Sequence, residues 1–299
     1  MTDSQYLDIF IPYWGDESFL FEAVESVLNQ DDDRWRLTVI DDCYPSDMVA
    51  PYFARIVDPR VTYRRNDKNV GITENFRRSI AGATASHVTV LGSDDRLKPN
   101  YVRTVLSAID AFPNADVIET GIDVIDAAGE RSMPLVDRVK QSILAPRSEG
   151  RHKLVGQAMA NSLIRGNWLY WPSLALRVET ARRIDFRDEL LVIQDLALLM
   201  DVAFDGGMLV YDTSVAFEYR RHNESASQAT LLNGTRLMQE REYFALAADL
   251  ARGVGYEKTA RIARARWFSR AHAVTLLPTV LLRGTRAGRR AVWAHILKY

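Results

Sequence analysis

The chain has 299 residues, 47% of them apolar and 26% charged, with a formal net charge of −1. That is an ordinary globular profile, large enough for one big domain or two smaller ones. Its one cysteine, Cys43, excludes a disulfide framework and fits a reducing cytosol. The opening MTDSQYLD is polar and acidic, so no secretory signal is expected. The longest apolar tract, 271–282, contains His272 and Pro278 and falls short of the ~20 residues a spanning helix needs. Charge is unevenly spread: residues 258–299 hold ten basic side chains and no acid.

In chain order, residues 7–12 (LDIFIP) read as an apolar first strand. Pro12 is expected at its end, because proline cannot donate to a central ladder. Tyr13-Trp14-Gly15 form a turn, and 17–29 follows as a helix with Leu20, Ala23, Val24, Val27 and Leu28 at helical spacing. Residues 37–40 are a second strand running into Asp41-Asp42. Strand, helix and strand make a βαβ unit and imply a parallel sheet. Residues 61–64 form a short third strand, 73–81 a helix, and 87–91 a buried strand of β-branched and apolar residues. Gly92 breaks that run, and Ser93-Asp94-Asp95 follow at the strand end.

Two adjacent carboxylates repel unless something positive lies beside them, and Mg²⁺ or Mn²⁺ suits hard oxygen ligands. Ligands of open α/β sheets collect outside the carboxyl ends of strands. Taken alone, Asp94-Asp95 reads more plainly as a turn capping the helix that begins near Lys98-Pro99. Acids at the ends of two core strands, beside Tyr13-Trp14 at a third, point instead to a site for a base, a sugar and phosphates. Neither G-x-G-x-x-G after the first strand nor GxxxxGK[ST] occurs, which weighs against dinucleotide binding.

Within 161–178, NWLYWPSLALRV offers Trp168, Tyr170 and Trp171, either as stacking platforms for a sugar or lipid ligand or as core packing, and the resemblance given below makes that ligand the acceptor. Asp195 begins the helix LALLMDVAF, where the helix N-terminus favours an ionised carboxylate; a plain helix cap is the alternative. Asp201 is expected to be structural or solvated, and Asp185 and Asp188 to be loop acids near the acceptor region. His222 follows the strand 215–219 beside Arg220 and Arg221, in a phosphate-side or a structural role. Residues 231–299 read as helices, with Met238, Phe244, Leu246 and Leu250 as a packing stripe. Trp267-Phe268 among Arg264, Arg266 and Arg270 suggest a basic amphipathic segment on an anionic membrane face. A solvated helix packed on the catalytic domain is the alternative. Nucleic acid is not expected, since no nucleic-acid motif accompanies the charge.

Several of these stretches together resemble the family 2 glycosyltransferases of the GT-A fold. IFIPYWGDESFLFEAVESVLNQ looks like the family's opening strand and helix. LTVIDDCYPSD resembles its strand ending in Asp-Asp-Gly-Ser, with Cys43-Tyr44 in place of Gly-Ser. RRNDKNVGITENFRRSI is similar to its Asn-x-Gly segment, here Asn69 and Gly71. LGSDDRLKP matches the Ser-Asp-Asp metal motif. VIQDLALLMDVAFDGG looks like its Glu-Asp helix with Gln194 for Glu, and YRRHNESAS closes the core. The resemblance covers residues 7–227. It implies that Pro12, Tyr13 and Trp14 wall the nucleobase and that Asp41 accepts from the ring N–H. Asn69 and Gly71 belong to the nucleotide side, with a phosphate role for Arg77. Asp94 holds the ribose or diphosphate, Asp95 binds the metal, His222 reaches metal or diphosphate, and Asp195 is the catalytic base. The processive Gln-x-x-Arg-Trp signature is absent, so one sugar per encounter is expected.

The expectation is therefore an α/β chain of GT-A type, with a mixed, mainly parallel sheet, flanking helices and a C-terminal helical extension. Its parts are a nucleotide-sugar-binding half (1–110), an acceptor half carrying the base (111–230) and a basic helical tail (231–299). The implied activity is metal-dependent, inverting transfer from a UDP-sugar to a hydroxyl of a glycan or lipid-linked acceptor, on the cytoplasmic face of the membrane. A catalytically silent sugar-nucleotide-binding or scaffold protein and a sugar nucleotidyltransferase are the alternatives.

Overall fold

The computed structural model describes residues 6–146, 148–190, 192–221 and 230–297. The expected site residue His222 lies outside the described residues.

The N-terminal third alternates strand and helix: β1 (Leu7–Tyr13), α1 (Glu17–Leu28), β2 (Trp35–Asp41), α2 (Val49–Phe53), β3 (Val61–Arg65), α3 (Ile72–Gly82) and β4 (His87–Val90). The pattern is legible because β1, β2 and β4 are largely buried on both faces, as parallel strands covered by helices are, while the edge strand β3 is partly exposed. Along β1, Leu7, Ile9, Ile11 and Tyr13 enter one core with α1, while Phe10 enters the core on the opposite face. Asp16 caps α1 by accepting from the Ser18 N–H at 2.8 Å. Pro12 sits inside β1, paired with Ile40, yet costs no ladder bond on the β4 side, because that pairing ends at Phe10 and Val90.

After the two-residue β5 (Arg96–Leu97) come α4 (Tyr101–Ala111), β6 (Val117–Ile125), α5 (Leu135–Val139) with a π-helical continuation (Lys140–Leu144), and β7 (Arg151–Val155). Then follow α6 (Gln157–Arg165), a 3₁₀ turn (Trp171–Ser173), β8 (Ala175–Arg177), α7 (Val178–Arg183), α8 (Gln194–Phe204) and the long β9 (Met208–Arg220). All nine strands form one sheet in the order β3-β2-β1-β4-β8-β6-β9-β5, with β7 also on β9. β1 to β4 run parallel, β8 is antiparallel to both its neighbours, and β9 is parallel to β6. So β9 points the same way as β1, β2 and β4, and their carboxyl ends share one edge. The sheet crosses residue 110 without a break, since β4 pairs with β8.

The C-terminal helices are α9 (Thr235–Gly253), α10 (Glu257–Ala265), α11 (Trp267–Arg283) and α12 (Arg286–Leu297). α9 and α10 are built into the main core through Tyr243, Phe244, Ala247, Ala248 and Ala263. Of the expected packing stripe only Phe244 is buried; Met238 and Leu246 are exposed. The inward face is made by Leu237, Tyr243 and small alanines, which a search for large apolar residues passes over. α11 and α12 close a satellite core of Leu231, Leu237, Ala273, Val280, Ala291 and Val292. Among the described residues, no helix is long and apolar enough to cross a membrane.

His87 opens β4 fully buried, with Nε2 at 3.1 Å from the Ala115 carbonyl and Nδ1 at 3.0 Å from Ser86 Oγ. Burial pushes its pKa down to about 4, against the Ala115 bond, which raises it. Unfolded, the ring protonates near pH 6.5, so between there and pH 4 the unfolded chain binds more protons and stability drops as pH falls. We expect denaturation midpoints to show this loss, at most about 1.4 kcal/mol per pH unit from this group. The slope should flatten in His87→Gln, and an unchanged slope would contradict the assignment.

Candidate active site

The common strand edge gathers three chain segments, and hydrogen bonds from neighbouring loops fix each one. At the end of β2, Asp41 lies between Tyr13 of β1 and Arg65 of β3 in the register. Its carboxylate is wholly buried: Oδ1 accepts from the Tyr44 N–H at 2.8 Å, and Oδ2 from the Tyr63 hydroxyl at 2.6 Å and from Arg65 at 3.3 Å. No face of Asp41 is open to a nucleobase in this arrangement. It holds Tyr44, Tyr63 and Arg65 in place, and burial with the Asp41 contact pushes the Tyr63 hydroxyl up to about 12.

Asp42, given no role in the sequence reading, organises the next turn. Oδ1 accepts from the Val70 N–H at 2.9 Å and from Asn66 Nδ2 at 2.8 Å, while Oδ2 accepts from the Gly71 N–H at 2.9 Å. Gly71 has φ +87°, a left-handed conformation that a side chain would strain, and it starts α3. Asn69 rides exposed on this turn. Asn75, buried on α3, donates to the Ile40 carbonyl at 3.0 Å and ties the helix back to β2.

The aromatic wall differs from expectation in its members. Tyr13 is fully buried and donates to the Gly15 carbonyl at 2.7 Å, so its ring belongs to the core. Trp14 is the exposed ring, packed edge-on against Tyr44 at 5.2 Å, with Tyr44 also 5.4 Å from Tyr13. Pro12 is half-buried behind them. Tyr44, one of the two departures from the Gly-Ser pattern of the resemblance, therefore adds a ring beside Trp14. Its neighbour Cys43 adopts φ +63°, where relatives with Gly meet no strain.

At the end of β4, Asp94 and Asp95 do not cap a helix: β5 intervenes, and α4 begins after Asn100. Asp95 is buried, and Oδ1 accepts from the Arg220 N–H at the end of β9 at 2.8 Å. The buried Arg220 side chain clasps the same loop. Its Nε donates to the Asp94 carbonyl at 2.7 Å, Nη1 to Ala127 at 3.1 Å and Nη2 to Glu22 of α1 at 2.5 Å, with Phe19 under the guanidinium at 4.6 Å. The guanidinium is thus spent on carbonyls and on Glu22. Burial first, and the adjacent Asp94 second, hold the Asp95 carboxyl well above the usual range. A Cβ on Gly92 would collide with Asp95 Oδ2 and crowd Asp94 Oδ1, so glycine keeps this cradle open. Two hard carboxylates in an open cradle fit Mg²⁺ or Mn²⁺. Among the described residues no group of three His, Cys, Asp or Glu gathers to complete a cation site, so further ligands must come from a bound diphosphate, water or elsewhere.

On the other side, Asp195 lies in the first turn of α8 but does not cap it; the cap position is Ile193. Asn167 Nδ2 donates to Asp195 Oδ2 at 3.2 Å. The preceding Gln194 accepts from the Thr73 hydroxyl at 3.1 Å, which docks the start of α8 against the start of α3, two residues past Gly71. Arg77, for which the resemblance implies a phosphate role, is engaged by carboxylates instead, pairing with Asp185 at 2.8 Å and Asp188 at 2.7 Å. Asp201 pairs with Arg187.

Trp168 and Tyr170 do not present ring faces to an acceptor. Both are buried, Trp168 against Tyr211 with Nε1 on Ser162, and Tyr170 against Tyr219 with its hydroxyl on Asp137 at 2.7 Å. Asp137 is buried and also takes both prongs of Arg221. Trp171 is half-buried in a cluster with Phe76 and Phe186. The sequence reading missed Asp42, Tyr44, Glu22, Asn167 and Arg220; position right after a strand was the one available signal for Asp42 and Arg220.

Removing the clasp tests its weight. Arg220→Met leaves buried carbonyls and Glu22 without their donor, and should cost about 3 kcal/mol in urea unfolding. A loss under about 0.5 kcal/mol would show the loop is held by other means.

WcaA of Escherichia coli (strain K12), named for colanic acid biosynthesis glycosyl transfer, is 31% identical over 108 residues, 36% of this chain and 39% of that protein. The succinoglycan biosynthesis protein ExoO of Rhizobium meliloti (strain 1021) is 26% identical over 217 residues, 72% of this chain and 60% of its own. The chain thus spans less than two thirds of these relatives. The structure of S. aureus TarS 1-349 superposes with a TM-score of 0.69 over 98% of this chain and 79% of that one, at 16% identity. Its complex with UDP-GlcNAc gives 0.70 over 97% and 79%, at 14% identity. At that identity the likeness is one of fold. The family profile described as glycosyl transferase family 2 matches residues 8–168, more than half the sequence, and the chain belongs to that family.

Proposed function

We propose that the chain transfers a sugar, with inversion, from a UDP-sugar to a hydroxyl of a glycan or lipid-linked acceptor on the inner face of the cell membrane. The observation that carries this reading is the Asp94-Asp95 cradle, clasped from the end of β9 and facing the same sheet edge as the Trp14-Tyr44 rings. The UDP-GlcNAc complex of TarS, with the same fold, and the polysaccharide names of the relatives support it.

In this reading Trp14 and Tyr44 flank the nucleobase, and the Asp42-braced turn through Asn69 and Gly71 lines the nucleoside. Asp94 orients the ribose or diphosphate. Asp95 would hold Mn²⁺ or Mg²⁺, which would supply Lewis-acid stabilisation of the departing diphosphate, and the metal or diphosphate role that the resemblance implies for His222 belongs to the same proposal. Asp195 takes the proton of the acceptor hydroxyl as its oxygen attacks the anomeric carbon and the bond to the diphosphate breaks. Asn167 orients that carboxylate in the first turn of α8. Trp171 is the remaining aromatic candidate on the acceptor side.

Calorimetric titration with UDP should give Mn²⁺-dependent binding that EDTA abolishes and Asp95→Asn removes. Failure of UDP to bind with metal would refute the nucleotide site. With donor and acceptor supplied, Asp195→Asn should lower transfer by about 10³-fold and leave UDP affinity within about two-fold. Unchanged transfer would refute the base assignment.

A further inference from the structure

α11 turns a charge-free apolar face to solvent. Trp267, Ala271, Val274, Pro278, Leu281 and Leu282 are all exposed, Trp267 by 68% and Leu282 by 81%. At 3.6 residues per turn they fall within about 100° of arc. The opposite stripe, through Ala273 and Val280, is the one buried in the satellite core. A helix on a soluble surface normally turns charge outward, and a continuous apolar patch with a polar rim marks a docking surface.

The rim has one sign. Arg283 ends the helix, and Arg286, Arg289 and Arg290 follow, all exposed, with Arg270 half-buried near the start of the stripe. Arg266, expected among the surface charges, is buried and takes no part. The last acid before them is Glu257. A second copy of this face would bring two arginine rims together, which like-charge repulsion opposes. Nucleic acid would need cations across the contact, where this face has aliphatic and indole groups. An anionic bilayer matches both parts: acyl chains for the stripe, lipid phosphates for the arginines.

We propose that α11 lies in the interface of an anionic bilayer, with its Trp267–Leu282 stripe among the acyl chains and Arg283, Arg286, Arg289 and Arg290 at the headgroups. This deepens, and rests on, the reading of the chain as a transferase at a membrane-borne acceptor. α11 also leans on α6, and α6 leads into Asn167, the partner of Asp195. Docking through α11 therefore anchors the element that carries the acceptor half of the site.

The test is vesicle co-sedimentation of the full chain, with phosphatidylcholine alone and with about 30% phosphatidylglycerol. The wild type should pellet with anionic vesicles only and lose this binding at high salt. The triple variant W267S/L281S/L282S should bind at least about ten-fold more weakly while its UDP titration is unchanged. Wild type that stays in the supernatant, or equal binding by the variant, overturns the proposal. So does a concentration-dependent dimer that the variant abolishes in place of vesicle binding. UDP titration on the same samples reports the nucleotide site separately, so either reading can fail alone.

Discussion

The buried Arg220 at the end of β9 is the interaction on which the site depends. Its backbone N–H goes to the Asp95 carboxylate, and its side chain reaches the Asp94 carbonyl and Glu22 on α1. One residue, 125 positions downstream, thereby fixes the loop that follows β4 to both the far strand and the first helix. Burying a guanidinium is costly unless its donors are all met, and here carbonyls meet most of them. The guanidinium donors thus go to the Asp94 and Ala127 carbonyls and to Glu22, while the backbone N–H is the group that meets the Asp95 carboxylate.

The same economy appears at the end of β2, where two adjacent acids divide their labour. Asp41 faces inward and ties Tyr63, Arg65 and Tyr44; Asp42 collects three N–H groups from the turn before α3. This chain's departures from the family pattern sit on that framework. Tyr44 adds an edge-on ring to Trp14, and Cys43 bears left-handed strain of about 1 kcal/mol that glycine would not. Gln194 keeps a polar tie, to Thr73, that couples the start of α8 to the start of α3.

β1, β2 and β4 were legible because parallel strands covered on both sides carry apolar runs, bounded by glycine and acids, and β3 by its place between two helices. The ordered motifs then exposed the family. Burial was not legible: Trp168, Tyr170 and Tyr13 look like binding rings in sequence, but their hydroxyls and indole N–H are satisfied inside. Arg77 looked available for phosphate because its partners, Asp185 and Asp188, come from more than 100 residues away. The inward face of α9 was hidden by its small residues, since alanine packs closely without standing out in a hydrophobic pattern. Long-range polar pairing is the part of the site that one sequence does not display.

The central claim is that Asp95 and a nucleoside diphosphate meet at the strand edge through a divalent ion. The most direct measurement is anomalous diffraction at the manganese edge from crystals grown with UDP and Mn²⁺. We expect one peak, coordinated by the Asp95 carboxylate and both phosphates, with the uracil beside Trp14 and Tyr44. UDP bound with no peak at Asp95, or a peak elsewhere on the molecule, would contradict it.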